Sequence, residues 1–235
     1  MEINFDNVEF RKDPYPIGVA HQVFGENDYQ ELVETFPPLS LLPRWDPGKY
    51  NKYALNEAHP DFHAHIRKYP LWSAFYTSIK HPTFPLFLIS LLKAYGVKVA
   101  LVEQWFTRFE FAAMPADGGY IRPHTDTPQK VITLVFSMLK PGDWNPAFGG
   151  GTDVLKPLDP SQTFKDYEAP LDAFEKVYTY EYVPNQCVIF HKTENSWHSV
   201  SPMTGVGSSM LRRTITLNIE TVDTLGKMPK KPRHR

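Results

Sequence analysis

A chain of 235 residues with 42% hydrophobic content is long enough for one large domain, or a core with a helical extension, and apolar enough to bury it. A net charge of −1 gives no global electrostatic reason to expect nucleic acid or an anionic membrane as partner. One cysteine, Cys187, excludes an intrachain disulfide; with a charged N-terminal stretch and no run near the ~20 apolar residues of a membrane span, this predicts a cytoplasmic protein.

Helical patterns dominate before residue 97. Asn27 or Asp28 can cap a short helix through 31–34 that stops before Pro37 and Pro38. Segments 59–68 and 71–80 follow helical patterns, and 82–95, stopped by Gly96, has the strongest. Between them 41–56 is aromatic and polar and reads as an irregular loop that can frame a pocket, with Trp45, Tyr50 and Tyr53 as candidate walls. After residue 97 strand signals take over, at 97–112, 120–124, 131–139, 152–155, 177–183, 187–191 and 211–220. Turn-formers such as Pro141-Gly142-Asp143 and Gly149-Gly150-Gly151 separate them, and many short strands of this kind argue for a sandwich or barrel. Segment 156–176 lacks a pattern and reads as a surface excursion. The expected organisation is a helical support region (1–97), a mainly β core (98–222) and a basic tail (223–235), whose last nine residues hold five Lys/Arg and read as a solvated end.

The chemistry concentrates in the second half. His124-Thr125-Asp126 is followed 72 positions after the aspartate by His198, and Arg212 comes 14 further on. Two histidines and one carboxylate are the ligand set of the facial triad that holds non-haem Fe(II) with open coordination positions. Residues two apart on a strand share a face, so His124 and Asp126 can converge on one ion from a strand end. His191 competes with His198 for the third position. His198 is preferred because it opens a segment leading by a loop to the arginine strand, whereas His191 lies 21 positions before Arg212. On the last strand Arg212, Thr214, Thr216 and Asn218 share a face, and a cation with neighbouring hydroxyls suits a carboxylate. Arg213, on the other face, is the rival. Tyr120 and Arg122 share the His124 face if that strand stays extended and are candidate substrate contacts, together with Trp45.

These residues, taken in order, resemble the 2-oxoglutarate/Fe(II)-dependent dioxygenase superfamily, and within it the branch of the prolyl 4-hydroxylases. The stretch from Asp117 through Gly118 and Gly119 to His124 and Asp126 is similar to that branch's glycine turn, strand and His-X-Asp. Segment 132–139, Trp144 and Gly149-Gly150-Gly151 look like its next strand, tryptophan and double-glycine turn; 188–190 and 198–200 look like its strand and distal histidine; and Arg212 with Thr214 looks like its cosubstrate strand. The resemblance covers about residues 98 to 221. It implies a double-stranded β-helix (a jelly roll) with flanking helices, Fe(II) on His124, Asp126 and His198, and 2-oxoglutarate and O₂ as cosubstrates, Arg212 and Thr214 taking the distal carboxylate. It also implies hydroxylation, since related halogenases need the Asp126 position small. The tyrosine that often helps hold 2-oxoglutarate is replaced near Ser137, leaving Lys130 or Tyr120 to complete the pocket. With no recognisable peptide module, the expected substrate is a small molecule or a free amino acid. Peptidyl-proline hydroxylation is the alternative, and a non-catalytic metal-binding jelly-roll protein is the reading from another class.

Overall fold

The computed structural model describes residues 1–45, 50–99, 104–159 and 168–221. In chain order the strands and helices are β1 (Val8–Arg11), β2 (Ile17–His21), α1 (Glu26–Glu34), β3 (Arg44–Trp45), β4 (Lys52–Asn56), α2 (Pro60–Lys68), α3 (Pro70–Lys80) and α4 (Thr83–Ala94). They are followed by β5 (Trp105–Pro115), β6 (Ile121–His124), β7 (Lys130–Ser137), β8 (Thr152–Pro157), β9 (Phe174–Tyr180), β10 (Gln186–His191), β11 (His198–Val200) and β12 (Leu211–Thr221). An eight-stranded sheet in the order β1-β2-β10-β7-β12-β5-β4-β3 faces a four-stranded sheet in the order β6-β11-β8-β9. Every pairing is antiparallel. This is the jelly-roll arrangement.

Period-two alternation decides what each face of the large sheet does. On β12, Ile215, Leu217 and Ile219 point outward into the principal core, where Phe109 and Phe111 of β5 and Leu134 and Phe136 of β7 join them. The helices supply the other half of that core through Trp72, Phe75, Ile79, Leu88 and Leu92. Burying a side chain of this size is worth roughly 1.5–3 kcal/mol, so this layer holds the helices against the outer face of the sheet. The inner face carries the complementary set, Arg212, Thr214, Thr216, Asn218 and Glu220, and looks onto the small sheet across a cavity.

The N-terminal region is mixed rather than simply helical. Its four described helices sit close to where the pattern puts them, but β1 to β4 join the large sheet on both edges. Apolar β2 was invisible as a strand because short apolar runs have no decisive period. Gly18 lets it approach β1, since a Cβ there would lie 2.7 Å from the Phe10 ring. Segment 41–56, read as an irregular loop, instead contributes β3 and β4, with Tyr53, Ala54, Leu55 and Asn56 pairing to Ala113, Ala112, Phe111 and Glu110 of β5. Residues 46–49 of that segment, 160–167 of the expected excursion and the basic tail lie outside the described residues. The α1 cap also differs: Gly25, not Asn27 or Asp28, occupies it, while Glu26 and Asp28 complement the helix dipole from the first turn. Helix α2 begins on Pro60 with the His59 ring accepting from the Asp61 amide. No described helix is long and apolar enough to cross a membrane.

Candidate active site

Strand β11 brings a distant part of the chain against β6. His198 is the direct antiparallel partner of His124, and their ring centroids lie 4.1 Å apart. Asp126 follows just beyond the end of β6. One potential ligand atom from each of His124, Asp126 and His198 falls within 4.8 Å of the others. The group could hold a metal ion. His191 is not part of it: it ends β10 opposite Ile132, away from the cavity wall.

The surroundings prepare each side chain for ligation. His124 Nδ1 lies 2.9 Å from the Arg122 carbonyl, and His198 Nδ1 lies 2.9 Å from the Ser196 carbonyl. A carbonyl only accepts, so both rings carry the proton on Nδ1 and keep the Nε2 lone pair for a metal. Burial pushes the His124 pKa down to about 3, helped by the neighbouring His198 and Lys130 and opposed by Asp126. Burial also lowers that of His198. Both are therefore neutral at physiological pH, as metal ligands must be. For Asp126 burial acts to raise the carboxyl, but Lys130 above all, with the two histidines, outweighs it and holds the group ionised. Asp126 Oδ1 accepts from Lys130 Nζ at 2.6 Å, and Oδ2 accepts from Thr133 Oγ1 at 2.6 Å. Thr133 in turn lies 3.1 Å from Asn218 Oδ1 on β12, tying the carboxylate to the large sheet.

A cavity of about 850 Å³ joins this group to the inner face of β12 and β5. Arg212 and Thr214 both line it and are buried, at 5% and 3% exposure. The Arg212 Nε donates to the Gly150 carbonyl, and its guanidinium carbon sits 5.1 Å from the centre of the Tyr182 ring. No carboxylate of the described residues forms an ion pair with it. Burial lowers its pKa to about 10, opposed by Tyr182 and Asp153, so it remains a cation. A buried cation without a counter-ion calls for an anionic ligand. Arg213 points away, its guanidinium carbon 5.9 Å from the Phe36 ring centre.

Of the two residues expected to complete the pocket near Ser137, Lys130 lines the cavity and Tyr120 does not. Ser137 is buried opposite Thr214, and the ring against the guanidinium is that of Tyr182, following β9. The Tyr182 hydroxyl is engaged elsewhere, donating to the Arg213 carbonyl at 2.8 Å and accepting from the Arg213 amide at 2.9 Å. Gly150 makes this packing possible. It has φ of 88°, and a Cβ there would lie 3.1 Å from Trp144 Cζ2 and 3.3 Å from Arg212 Cδ.

The candidate substrate residues divide. Trp45 lines the cavity. Arg122 is exposed, and neither it nor Tyr120 lines the wall; Tyr120 packs edge-on against Tyr50, ring centroids 6.1 Å apart. The reason is a bulge in β6: His124 pairs with His198, but Ile121, three residues back, pairs with Val200, only two on. An inserted residue reverses the alternation, so Ile121 rather than Arg122 shares the cavity with His124. Lys52, Arg108, Glu110 and Glu220 also line the wall and were not singled out by sequence. Extending the alternation of Arg212 and Asn218 by one step reaches Glu220, a signal that was available.

The comparisons agree with this geometry. The family model described as "2OG-Fe(II) oxygenase superfamily" matches residues 109–220, from within β5 to within β12. Among solved structures, a prolyl-4-hydroxylase from Pseudomonas putida superposes with a TM-score of 0.56 at 13% identity, covering 88% of this chain and 93% of that one. A prolyl hydroxylase from Trichoplax adhaerens, in complex with a hypoxia-inducible-factor oxygen degradation domain peptide fragment, gives 0.54 at 13% identity, covering 87% and 83%. An oxidoreductase of the 2OG-Fe(II) oxygenase family from Burkholderia pseudomallei gives 0.50 at 12% identity, covering 87% and 84%. A comparison with curated protein sequences gives no match. At these identities the solved structures speak to the fold, and the family model to the lineage. Residues 109–220 of this chain match the 2OG-Fe(II) oxygenase superfamily, and that match together with the His-Asp-His group supports a dioxygenase that uses Fe(II), 2-oxoglutarate and O₂.

Proposed function

We propose that this oxygenase hydroxylates a small polar molecule, a free amino acid among the candidates, with Fe(II) on His124, Asp126 and His198 and the distal carboxylate of 2-oxoglutarate on Arg212 and Thr214. The observation that carries the assignment is the buried Arg212 guanidinium, unpaired by any described carboxylate, on the wall of the cavity that also holds the three ligand side chains. The donor set fits a non-haem iron: two imidazoles with Nδ1 committed to carbonyls, and one ionised carboxylate. When bound, the iron supplies O₂ activation coupled to decarboxylation of 2-oxoglutarate to succinate and CO₂, with one oxygen atom going to a substrate C–H bond.

The chain's own residues supply orientation. The Arg122 and Ser196 carbonyls set the tautomer and direction of the two rings. Thr133 and Lys130 hold the two oxygens of Asp126. Arg212 offers its guanidinium, and Thr214 a hydroxyl, to a carboxylate, and a charge-assisted fork of this kind fixes both position and register. Because Arg212 lies near the start of β12 and Asp126 is tied through Thr133 to Asn218 further along it, a dicarboxylate held at Arg212 presents its other end toward the iron ligands.

The small-molecule reading rests on the cavity, whose volume of about 850 Å³ lies within the range of small-ligand pockets and whose wall sets charged side chains such as Lys52, Arg108, Glu110 and Glu220 among apolar ones. Peptidyl proline is the second reading, favoured by the likeness to the Trichoplax adhaerens enzyme, whose structure contains a peptide. Succinate release with Fe(II), 2-oxoglutarate and a panel of amino acids, polar metabolites and proline peptides separates them. Stimulation by a free small molecule is expected; stimulation by peptides alone would replace the first reading with the second.

A further inference from the structure

The inner wall of the cavity lies beside the group that could hold a metal. Here it carries two ion pairs. Arg108 Nε donates to Glu220 Oε2 at 2.7 Å, and Lys52 Nζ to Glu110 Oε1 at 2.7 Å. All four side chains line the cavity. Arg108 and Glu110 are successive inward positions of β5, flanked by Glu220 on β12 and Lys52 on β4, so charge alternates in sign across three adjacent strands.

Their place along the cavity matters. Asn218 is tied through Thr133 to Asp126, so the metal group sits level with residue 218 of β12. Arg212 lies on one side of that level. Glu220, the next inward residue, lies on the other, and its partner Arg108 is level with the metal group, facing Asn218 in register. Glu220 is close enough to Lys130 and Asp126 for both to influence its ionisation. The part of the cavity away from Arg212 is thus the part left for a primary substrate, and Glu220 and Arg108 are among the groups that line it.

The two groups have bonding capacity to spare. Glu220 is buried, at 6% exposure, and uses Oε2 on Arg108, leaving Oε1. Arg108 uses Nε, leaving both Nη groups, and its side chain is half exposed. An ion pair with one member buried and the other half exposed gains little net stability, through desolvation of the first and solvent screening of the second, so stability alone is a weak reason for placing one in a cavity wall. A ligand bearing both charges meets the wall without leaving either group unbalanced. Its ammonium meets Glu220 Oε1 while its carboxylate meets the Arg108 fork.

Resting on the oxygenase reading above, we infer that Arg108 and Glu220 are specificity-determining residues and that the primary substrate is a zwitterion, a free α-amino acid recognised through its own ammonium and carboxylate. A site built around such groups rejects analogues lacking either one, because a wall charge would then be buried opposite a neutral group.

The test is calorimetric and independent of turnover. The full chain is loaded with Mn(II), which reports binding without oxidation, and titrated with the twenty common L-amino acids, with and without 2-oxoglutarate. The amino acid that binds best is then compared with its N-acetyl derivative and its carboxamide. The expected result is binding of a free amino acid, weakened on the order of tenfold or more by either derivatisation. Glu220→Gln should erase the preference over the N-acetyl form, and Arg108→Gln the preference over the carboxamide, each leaving 2-oxoglutarate affinity as it was. If Glu220→Gln does not fold, the half-exposed Arg108 position carries the test with the carboxamide. Binding by no free amino acid overturns the inference, as does equal binding of the derivatives or retained discrimination in a folded variant. Because 2-oxoglutarate binding is measured separately, loss of the zwitterion site alone leaves the oxygenase reading standing, whereas absence of 2-oxoglutarate binding counts against that reading instead.

Discussion

His198 stands directly across from His124 in antiparallel register, and each ring bonds through Nδ1 to the carbonyl two residues before it. The same local device is thus used twice, once on each strand, to turn an Nε2 lone pair toward a common point. Asp126 completes the group from just past the strand end, where it is free of the ladder.

Alanine at His124, Asp126 or His198 is expected to abolish stoichiometric Fe(II) or Mn(II) binding, while His191→Ala leaves it intact. Metal content after gel filtration, or calorimetry with Mn(II), reads this directly. Loss of metal in His191→Ala with retention in His198→Ala would overturn the ligand assignment.

Arg212→Ala should raise the Kd for 2-oxoglutarate by about 10- to 150-fold, corresponding to roughly 1.5–3 kcal/mol for a lost charge-assisted bond. Metal binding should be unaffected. Arg213→Ala, whose guanidinium lies over Phe36, should change the Kd by less than about twofold, since it removes no bond to the ligand. A larger effect at Arg213 would reverse the two roles.

Thr133→Val keeps the shape of the side chain and deletes the hydroxyl that bonds Asp126 Oδ2 at 2.6 Å. Partners that orient a metal ligand are typically worth about 10- to 100-fold in metal affinity, and a loss of that order is expected. Unchanged Mn(II) affinity in the folded variant would show that Lys130 alone suffices to hold the carboxylate.

Gly150→Ala combines two penalties. The φ of 88° disfavours any Cβ by about 1–2 kcal/mol, and the added methyl would crowd Arg212 Cδ and Trp144. The variant should melt several degrees lower and bind 2-oxoglutarate more weakly, yet still take up metal. Weaker metal binding with normal 2-oxoglutarate affinity would contradict the placement of this turn against Arg212.

His65 is buried among Tyr69, Trp72 and Phe111, and its Nε2 has no hydrogen-bond partner. Burial pulls its pKa from 6.5 down to about 4. The unfolded chain therefore takes up a proton as pH falls through 6.5, while the folded protein resists until about 4. Its contribution to stability is intact above 6.5 and is lost progressively between 6.5 and about 4. His65→Leu should flatten the fall in stability across that window relative to the parent, by up to about 3 kcal/mol at its acid end. Parallel curves for the two proteins in denaturant titrations at several pH values would refute this.

What the sequence could determine by itself was whatever depends on local covalent geometry. Alternation along β12 separates Arg212, Thr214, Thr216 and Asn218 from Arg213, Ile215, Leu217 and Ile219 because successive side chains of any strand point to opposite faces, and the structure shows this division. Pro60 marked the start of α2, and Pro82 and Gly96 the two ends of α4, for the same reason, since each residue's own φ preference sets those boundaries. Tertiary structure decided whatever depends on pairing between distant segments. The bulge that puts Ile121 in place of Arg122 exists only because β6 must match β11. The recruitment of β1 to β4 to the sheet edges depends on backbone bonds to partners far along the chain, which have no sequence period. The Arg108–Glu220 pair forms on a diagonal between β5 and β12, residues 112 positions apart that only the strand register makes neighbours. Spacing in the chain specifies which residues share a face; only the ladder specifies which faces meet.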